Sequence, residues 1–251
     1  MTLKAVLFDF NGVIINDEPL HEHLLDQILI SENLCPQPGE FWKTCLGRSD
    51  RACLSDLLTA RGRVVNETQL LELVKRKAQA YEHELEKLEK LPLYPGLEDL
   101  IFQLRSLELK LAVVSGATSS EVELVLNRTT LAEYFTVIVT GDDITTSKPE
   151  PDGYLLAVER LNQQYPSLNL QPSECLAIED TPAGIEAAKR AGMPVVGVAN
   201  TYPFHMLQRQ VNWTVDYLCD LEIDRVQQVY SRTETQQQVG ETVSGATHPK
   251  C

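Results

Sequence analysis

The chain has 251 residues, 43% of them hydrophobic, which suits one large domain or two modest ones with a real buried core. Its 36 acidic residues outnumber 22 basic ones, and the net charge of −14 disfavours nucleic acid and anionic membrane surfaces as partners. An anionic substrate would need local positive charge or a metal at its site. No positively charged segment leads into a long apolar run at the start, and no stretch approaches the roughly 18 apolar residues of a membrane span, so a soluble, cytoplasmic protein is expected. The six cysteines (Cys35, Cys45, Cys53, Cys175, Cys219, Cys251) form no C-x-x-C pair and have no histidine at zinc-finger spacing; they are expected to be thiols, mostly buried, rather than disulfides or metal ligands. A monomer or weak dimer is expected.

In chain order, Leu3 to Phe8 is a short apolar run broken only by Lys4, which predicts a buried strand with Asp9 at its carboxyl end. From about Asp17 to Leu91 the pattern is helical with hardly any strand signal. Leu20, Leu24, Leu25, Ile28 and Leu29 share one helix face, Leu54, Leu57 and Leu58 another, and Gln69 to Lys90 reads as a strongly charged helix. Leu91-Pro92-Leu93-Tyr94-Pro95-Gly96 then closes this insert as a hinge. Four further short apolar runs follow: Leu109 to Val114, Val137 to Val139, Cys175 to Ile178 and Pro194 to Val198. Helical patterns over Leu97 to Leu107, Glu121 to Leu126, Gly153 to Leu161 and Pro182 to Ala191 alternate with them. That alternation predicts an α/β fold, a doubly wound parallel sheet covered on both faces, with an inserted α-helical domain. The expected division is a core domain from 1–16 and 92–230, a helical cap over 17–91, and a disordered tail over 231–251, whose only aliphatic residues larger than alanine are two valines.

Open parallel sheets bind ligands beyond the carboxyl ends of their strands. Those ends carry Asp9, Ser115 and the pair Glu179-Asp180, with Lys148 in the loop after the third strand. Three carboxylates at one rim repel one another unless a hard cation sits among them, and Mg²⁺ fits that oxygen donor set. Lys148 offers a point charge to a phosphate, while Ser115 followed by Gly116 offers a hydroxyl and backbone N–H groups. Thr181-Pro182 reads as an N-cap with proline at the first helical position, and Asp152 as the N-cap of the helix before it.

The segments Asp9-Phe10-x-Gly12-Val13, Val114-Ser115-Gly116, Lys148-Pro149-Glu150-Pro151-Asp152 and Ile178-Glu179-Asp180-Thr181-Pro182-Ala183-Gly184-Ile185 together resemble the four motifs of the haloacid dehalogenase superfamily, over about Leu3 to Asp220. The insert after the first motif resembles the cap of the β-phosphoglucomutase and phosphatase type. The resemblance implies a Mg²⁺-dependent phosphatase of a small phosphorylated metabolite, with sugar phosphates among the candidates. Asp9 would be the nucleophile that forms an aspartyl-phosphate. Ser115 and Lys148 would hold the phosphoryl group, and Asp9, Glu179, Asp180 and the backbone carbonyl of Asn11 would bind the metal. It also implies that His21, on the first cap helix, can face the substrate; an exposed helix histidine is the plainer alternative. The Gly47-Arg48-Ser49-Asp50 loop helps to choose the substrate in relatives, which marks Arg48 and, more weakly, Arg51.

The departure from the pattern is Asn11. Most phosphatases and mutases of the superfamily have an aspartate there as general acid and base, and an amide cannot transfer that proton at neutral pH. Three readings stay open: the proton comes from elsewhere, the protein is a slow relative that binds a phosphorylated ligand, or the Asn was introduced to trap a complex. A β-phosphoglucomutase-like mutase is the alternative activity.

Overall fold

In the computed structural model, which describes residues 2–231, six parallel strands form one sheet in the order β3-β2-β1-β4-β5-β6. The strands are β1 (Ala5–Phe8), β2 (Lys110–Val114), β3 (Val137–Val139), β4 (Cys175–Glu179), β5 (Val195–Val198) and β6 (Trp213–Val215). Every residue of β1, β4 and β5 is buried, as strands covered on both faces must be. The covering follows the period of two along β1. Val6 and Phe8 join one apolar cluster with α5 (Leu97–Ser106), α6 (Ser119–Arg128) and a helix over 223–231. Ala5 and Leu7 join the other, with α7 (Asp152–Gln164), α8 (Pro182–Arg190) and the short α9 (Phe204–Leu207). The predicted doubly wound α/β architecture is the one observed.

Between β1 and α5 lie four helices: α1 (Glu18–Ser31), α2 (Glu40–Thr44), α3 (Asp50–Ala60) and α4 (Glu67–Glu86). They have a core of their own, in which Leu25, Ile28 and Leu29 meet Phe41, Leu54, Leu57, Leu58, Leu70, Leu73 and Val74. Their far ends do not stand clear of the sheet, because Leu24, Tyr81 and Leu85 belong to the cluster built on Phe8. The two chains that enter and leave the insert are joined to each other. Asn16 N donates to Pro92 O at 2.8 Å and Tyr94 N to Ile14 O at 3.1 Å, with an antiparallel bridge between Ile15 and Leu93. The proline-rich exit is therefore held along the entering strand-like segment.

Several expectations need correction. Cys45 and Cys53 are a disulfide, not thiols; the turn from α2 into α3 sets their Cα atoms 4.8 Å apart, within bridging reach, and spacing in sequence gave no sign of it. Asp152 is the first residue of α7, and the N-cap position is Pro151. The charged helix α4 starts at Glu67, behind an Asn66–Gln69 capping box, and stops at Glu86, short of Lys90. The sixth strand and α9 went unpredicted because both are short and carry little apolar periodicity. Ser231, expected to open the disordered tail, is helical and is the last described residue; the rest of that tail lies outside the described residues.

Phe8 packs edge-on against Phe135, ring centroids 5.6 Å apart, at the centre of the larger cluster. Phe8→Ala is expected to destabilise the fold by about 3–5 kcal/mol, measured as a shift in urea midpoint at unchanged slope; a loss below 1 kcal/mol would mean that this cluster is not the core it looks like.

Candidate active site

Parallel pairing brings the carboxyl ends of β1, β2 and β4 level. Phe8 lies beside Val113 on one side and Ile178 on the other, and Asp9 N continues the ladder by donating to Ile178 O at 3.0 Å. Asp9, Ser115, Glu179 and Asp180 consequently emerge at one rim. Lys148 reaches it from the loop between β3 and α7 and pairs with Asp9 Oδ1 and Glu179 Oε1, each at 2.7 Å. The Tyr154 hydroxyl of α7 donates to the same Glu179 oxygen at 2.7 Å.

One lysine does not balance three carboxylates. Oxygens of Asp9, Glu179 and Asp180 lie within 4.8 Å of one another, all buried. Burial and the charge of Glu179 push the Asp9 carboxyl up to about 8 despite Lys148. Burial, then Asp9, Glu179 and Glu18, push Asp180 well above the carboxylate range, with only the Thr201 hydroxyl pulling the other way and neither Asp180 oxygen in a hydrogen bond of ordinary geometry. Orphaned, mutually repelling oxygens in a set without nitrogen or sulfur fit a hard divalent cation such as Mg²⁺. The backbone makes room for them at Gly12, whose φ is +78° and where a Cβ would lie 1.8 Å from Asp180 Oδ2. Thr181 fixes the other flank, accepting from Gly184 N as N-cap of α8.

Asn11 faces away from this cluster and into a second polar network. Its Nδ2 donates to both oxygens of Asp17, at 3.0 and 3.1 Å, and lies 3.0 Å from His21 Nε2. Asp17 also accepts from the Tyr81 hydroxyl and lies 3.2 Å from His21 Nε2. The Lys77 ammonium lies against His21 Nδ1; burial and the Lys77 charge oppose protonation of the ring, but Asp17 and Glu121 outweigh them and raise its pKa. Lys77 itself is fully buried between Asp50 of α3, at 2.7 Å, and Glu121 of α6, at 2.9 Å. Burial opposes the charge on Asp17, but the His21, Tyr81 and Asn11 contacts win and hold its carboxyl below the usual range.

The sequence-predicted residues are thus mostly together. Asp9, Asn11, His21, Arg48 and Gly116 line one pocket under the insert, beside Glu18, Asp50 and Thr181. His21 is buried, so the exposed-histidine alternative fails. Arg48 is at the pocket wall, but its guanidinium is turned to Asp56, at 2.7 Å, and to Thr44 O. Its backbone closes on Gly116, where a Cβ would lie 3.0 Å away. Ser115 is buried, its hydroxyl accepting from Ala117 N at 3.0 Å. Arg51 pairs with Glu67 on the outside. Sequence reasoning missed Asp17, Lys77, Tyr81 and Glu121. For Lys77 a signal existed: it sits in the apolar stripe of α4 with Leu70, Leu73, Val74, Ala78, Tyr81 and Leu85, a place for a cation only if partners await it.

A fold, a strand-end acidic cluster and a lysine of this kind define a class, and the comparisons with known proteins name it. The sequence profile of the haloacid dehalogenase-like hydrolases matches residues 6–198, and the chain belongs to that family. It is 31% identical to a β-phosphoglucomutase of Bacillus subtilis over 87% of this chain and 93% of that protein. It is 30% identical to a phosphorylated carbohydrates phosphatase of Thermotoga maritima, over 79% and 87%. Among solved structures, a β-phosphoglucomutase of Clostridium difficile superposes with a TM-score of 0.77 over 93% of this chain and 99% of its own, at 23% identity, and so shares the fold. Among the described residues no helix is long and apolar enough to cross a membrane.

The raised Asp9 carboxyl has a sign that can be checked. In metal-free protein it holds a proton that the unfolded chain has lost, so its contribution to stability is full at acid pH and disappears as pH rises toward 8. A cation displaces that proton, and its stabilising effect grows accordingly. The rise in melting temperature on adding Mg²⁺ is expected to be larger at pH 8 than at pH 6; thermal melts at both pH values, with and without the ion, check this, and a larger rise at pH 6 would contradict it.

Proposed function

We propose that the protein is a phosphomonoesterase of a small phosphorylated metabolite, with sugar phosphates as the favoured class, and that it works through an aspartyl-phosphate on Asp9. The observation that carries this reading is Asp9 at the strand end with Lys148 against it and two further carboxylates beside it. The names of the sugar-phosphate mutase and phosphatase relatives support the substrate class.

In the first step Asp9 Oδ attacks phosphorus and the ester oxygen leaves; in the second, water attacks the aspartyl-phosphate and carboxylate and phosphate separate. Lys148 offsets the charge of the phosphoryl oxygens, and Ser115 with the Gly116 N–H receives them. Mg²⁺, held by Asp9, Asp180, the Asn11 carbonyl and Glu179, would supply Lewis-acid charge at the same oxygens. Residues 17–91 act as a cap. The pocket beneath them has only about 50 Å³ of free space, too little for a sugar phosphate, so the cap must move to admit one and then exclude water.

Both steps need a proton moved, and Asn11 cannot do it. The Asp17–His21 pair is hydrogen-bonded to Asn11, and His21 stands in the pocket wall; His21 takes this role, held by Asp17, which Asn11 orients. That assignment supports turnover over the binding-only reading, since the acid–base group is relocated rather than lost.

Two experiments test the proposal. Lys148→Ala is expected to lower kcat/KM by about 10²–10³-fold, whereas Lys110→Ala, at the opposite end of the sheet, leaves it within about threefold; equal losses would put the site elsewhere. Asp17→Asn, which takes from His21 the carboxylate that favours its proton, is expected to lower turnover of an alkyl phosphate by about 10²–10⁴-fold and that of p-nitrophenyl phosphate far less, because only the poor leaving group needs protonation. Equal effects on both would remove Asp17 from proton transfer, and isomerised sugar phosphate in place of free phosphate would make the enzyme a mutase.

A further inference from the structure

The bonded cysteines, Cys45 and Cys53, do not tie distant parts of the chain together. They are 8 positions apart, one at the end of α2 and the other in the first turn of α3. Both are buried, and both line the pocket under the insert. The segment between them, Leu46 to Ala52, is where the insert meets the rim. Ser49 N donates to Ser147 Oγ at 2.7 Å. A Cβ on Gly47 would lie 2.5 Å from Thr181 Oγ1, and one on Gly116 would lie 3.0 Å from the Arg48 carbonyl and from Ser49 N. Ser147, Thr181 and Gly116 are the chain neighbours of Lys148, Asp180 and Ser115, so this segment abuts the residue next to each of three rim groups. The same segment caps α3 through Ser49 and supplies Asp50 to Lys77. The other described cysteines, Cys35, Cys175 and Cys219, are free thiols.

We propose that the Cys45–Cys53 bond is a redox control on the site: the bonded form holds Leu46 to Ala52 in the shape that seats on the rim, and a dithiol reductant loosens that seat. A thiolate of the reductant attacks one sulfur, giving a mixed disulfide and one protein thiolate. Its second thiolate then displaces the other protein sulfur, so that the reductant leaves as its own disulfide and its two protons end on the two cysteines. While bonded, the short loop has few conformations open to it. Once opened, it gains freedom at Gly47, whose φ of +74° lies in the left-handed region that glycine tolerates. A displacement of about 1 Å next to reacting groups can cost about 10²-fold in rate, and this segment lies beside three of them. Because both sulfurs are buried, a reductant reaches them through the same opening of the insert that admits a substrate.

The effect on rate rests on the phosphomonoesterase reading, so binding is measured beside it. The full chain is prepared without reductant and after dithiothreitol treatment, and the state of each cysteine is read by alkylation and peptide mass. Hydrolysis of p-nitrophenyl phosphate and calorimetric binding of inorganic phosphate, both with Mg²⁺, are then compared in the two states. The unreduced protein is expected to hold the Cys45–Cys53 bond, and reduction to lower kcat/KM by about 10–100-fold, with recovery on reoxidation. Cys45→Ser is expected to match the reduced parent and to ignore dithiothreitol, whereas Cys35→Ser, at an exposed free thiol, keeps the response. Should Cys45→Ser fail to fold, the two states of the parent decide without it. Free thiols at Cys45 and Cys53 in the air-oxidised protein would overturn the proposal. Values of kcat/KM within about threefold in the two states would overturn it too, leaving the bond structural. If neither state hydrolyses the ester, the phosphomonoesterase reading falls and phosphate affinity decides: binding weaker by about tenfold or more on reduction supports the redox control, and equal binding, or none in either state, overturns it.

Discussion

The constraint on which the rest depends is the burial of like charges at the ends of parallel strands. Asp9, Glu179 and Asp180 are brought to one rim by backbone pairing that takes no account of their charge, since β1 and β4 are held by ladder hydrogen bonds and by apolar faces on both sides. Once there, the carboxylates must be protonated, paired or bridged by a cation. Lys148 pairs two of them and leaves Asp180 without a partner. A site assembled in this way holds its repulsion in a rigid frame, which a hard divalent cation would relieve.

The insert is joined to this frame by polar contacts as much as by apolar ones. Lys77 of α4 connects α3 to α6 through Asp50 and Glu121, and it touches His21, which leads through Asp17 to Asn11. Each group in that chain is satisfied by the next, and removing any one leaves a charge buried without compensation. In the same network Asn11 is the donor that holds the Asp17 carboxylate.

Membership of the haloacid dehalogenase-like hydrolases was legible from four short segments because they are local. Each places a strand end, a turn and one or two chemical groups within a few residues: Asp9 with Gly12, Ser115 with Gly116, Lys148 with its prolines, Glu179-Asp180 with the Thr181-Pro182 cap. The substitution at Asn11 was equally legible, and so was the question it raises. The neighbours of Asn11 were not, because Asp17, His21, Lys77 and Tyr81 lie on different turns or helices and only packing of α1 on α4 brings them to one place. Cys45 and Cys53 are of the same kind: their spacing carries no disulfide signature, and the bridge depends on the turn between α2 and α3.

The sequence by itself determined five of the sheet's six strands, their two-faced covering, the position of the helical insert and the identity of the rim residues, since all of these follow from short-range hydrophobic periods and from turn residues adjacent to the groups they place. Tertiary structure alone decided which carboxylates lack partners, which lysine is buried as the centre of an ion network, and that Glu18 turns toward Asp180 rather than to water. The physical reason is that charge compensation is a property of three-dimensional neighbours. A carboxylate's surroundings in sequence give its distance along the chain, whereas its protonation, its partners and its affinity for a cation are set by atoms a few ångströms away that the fold brings from elsewhere.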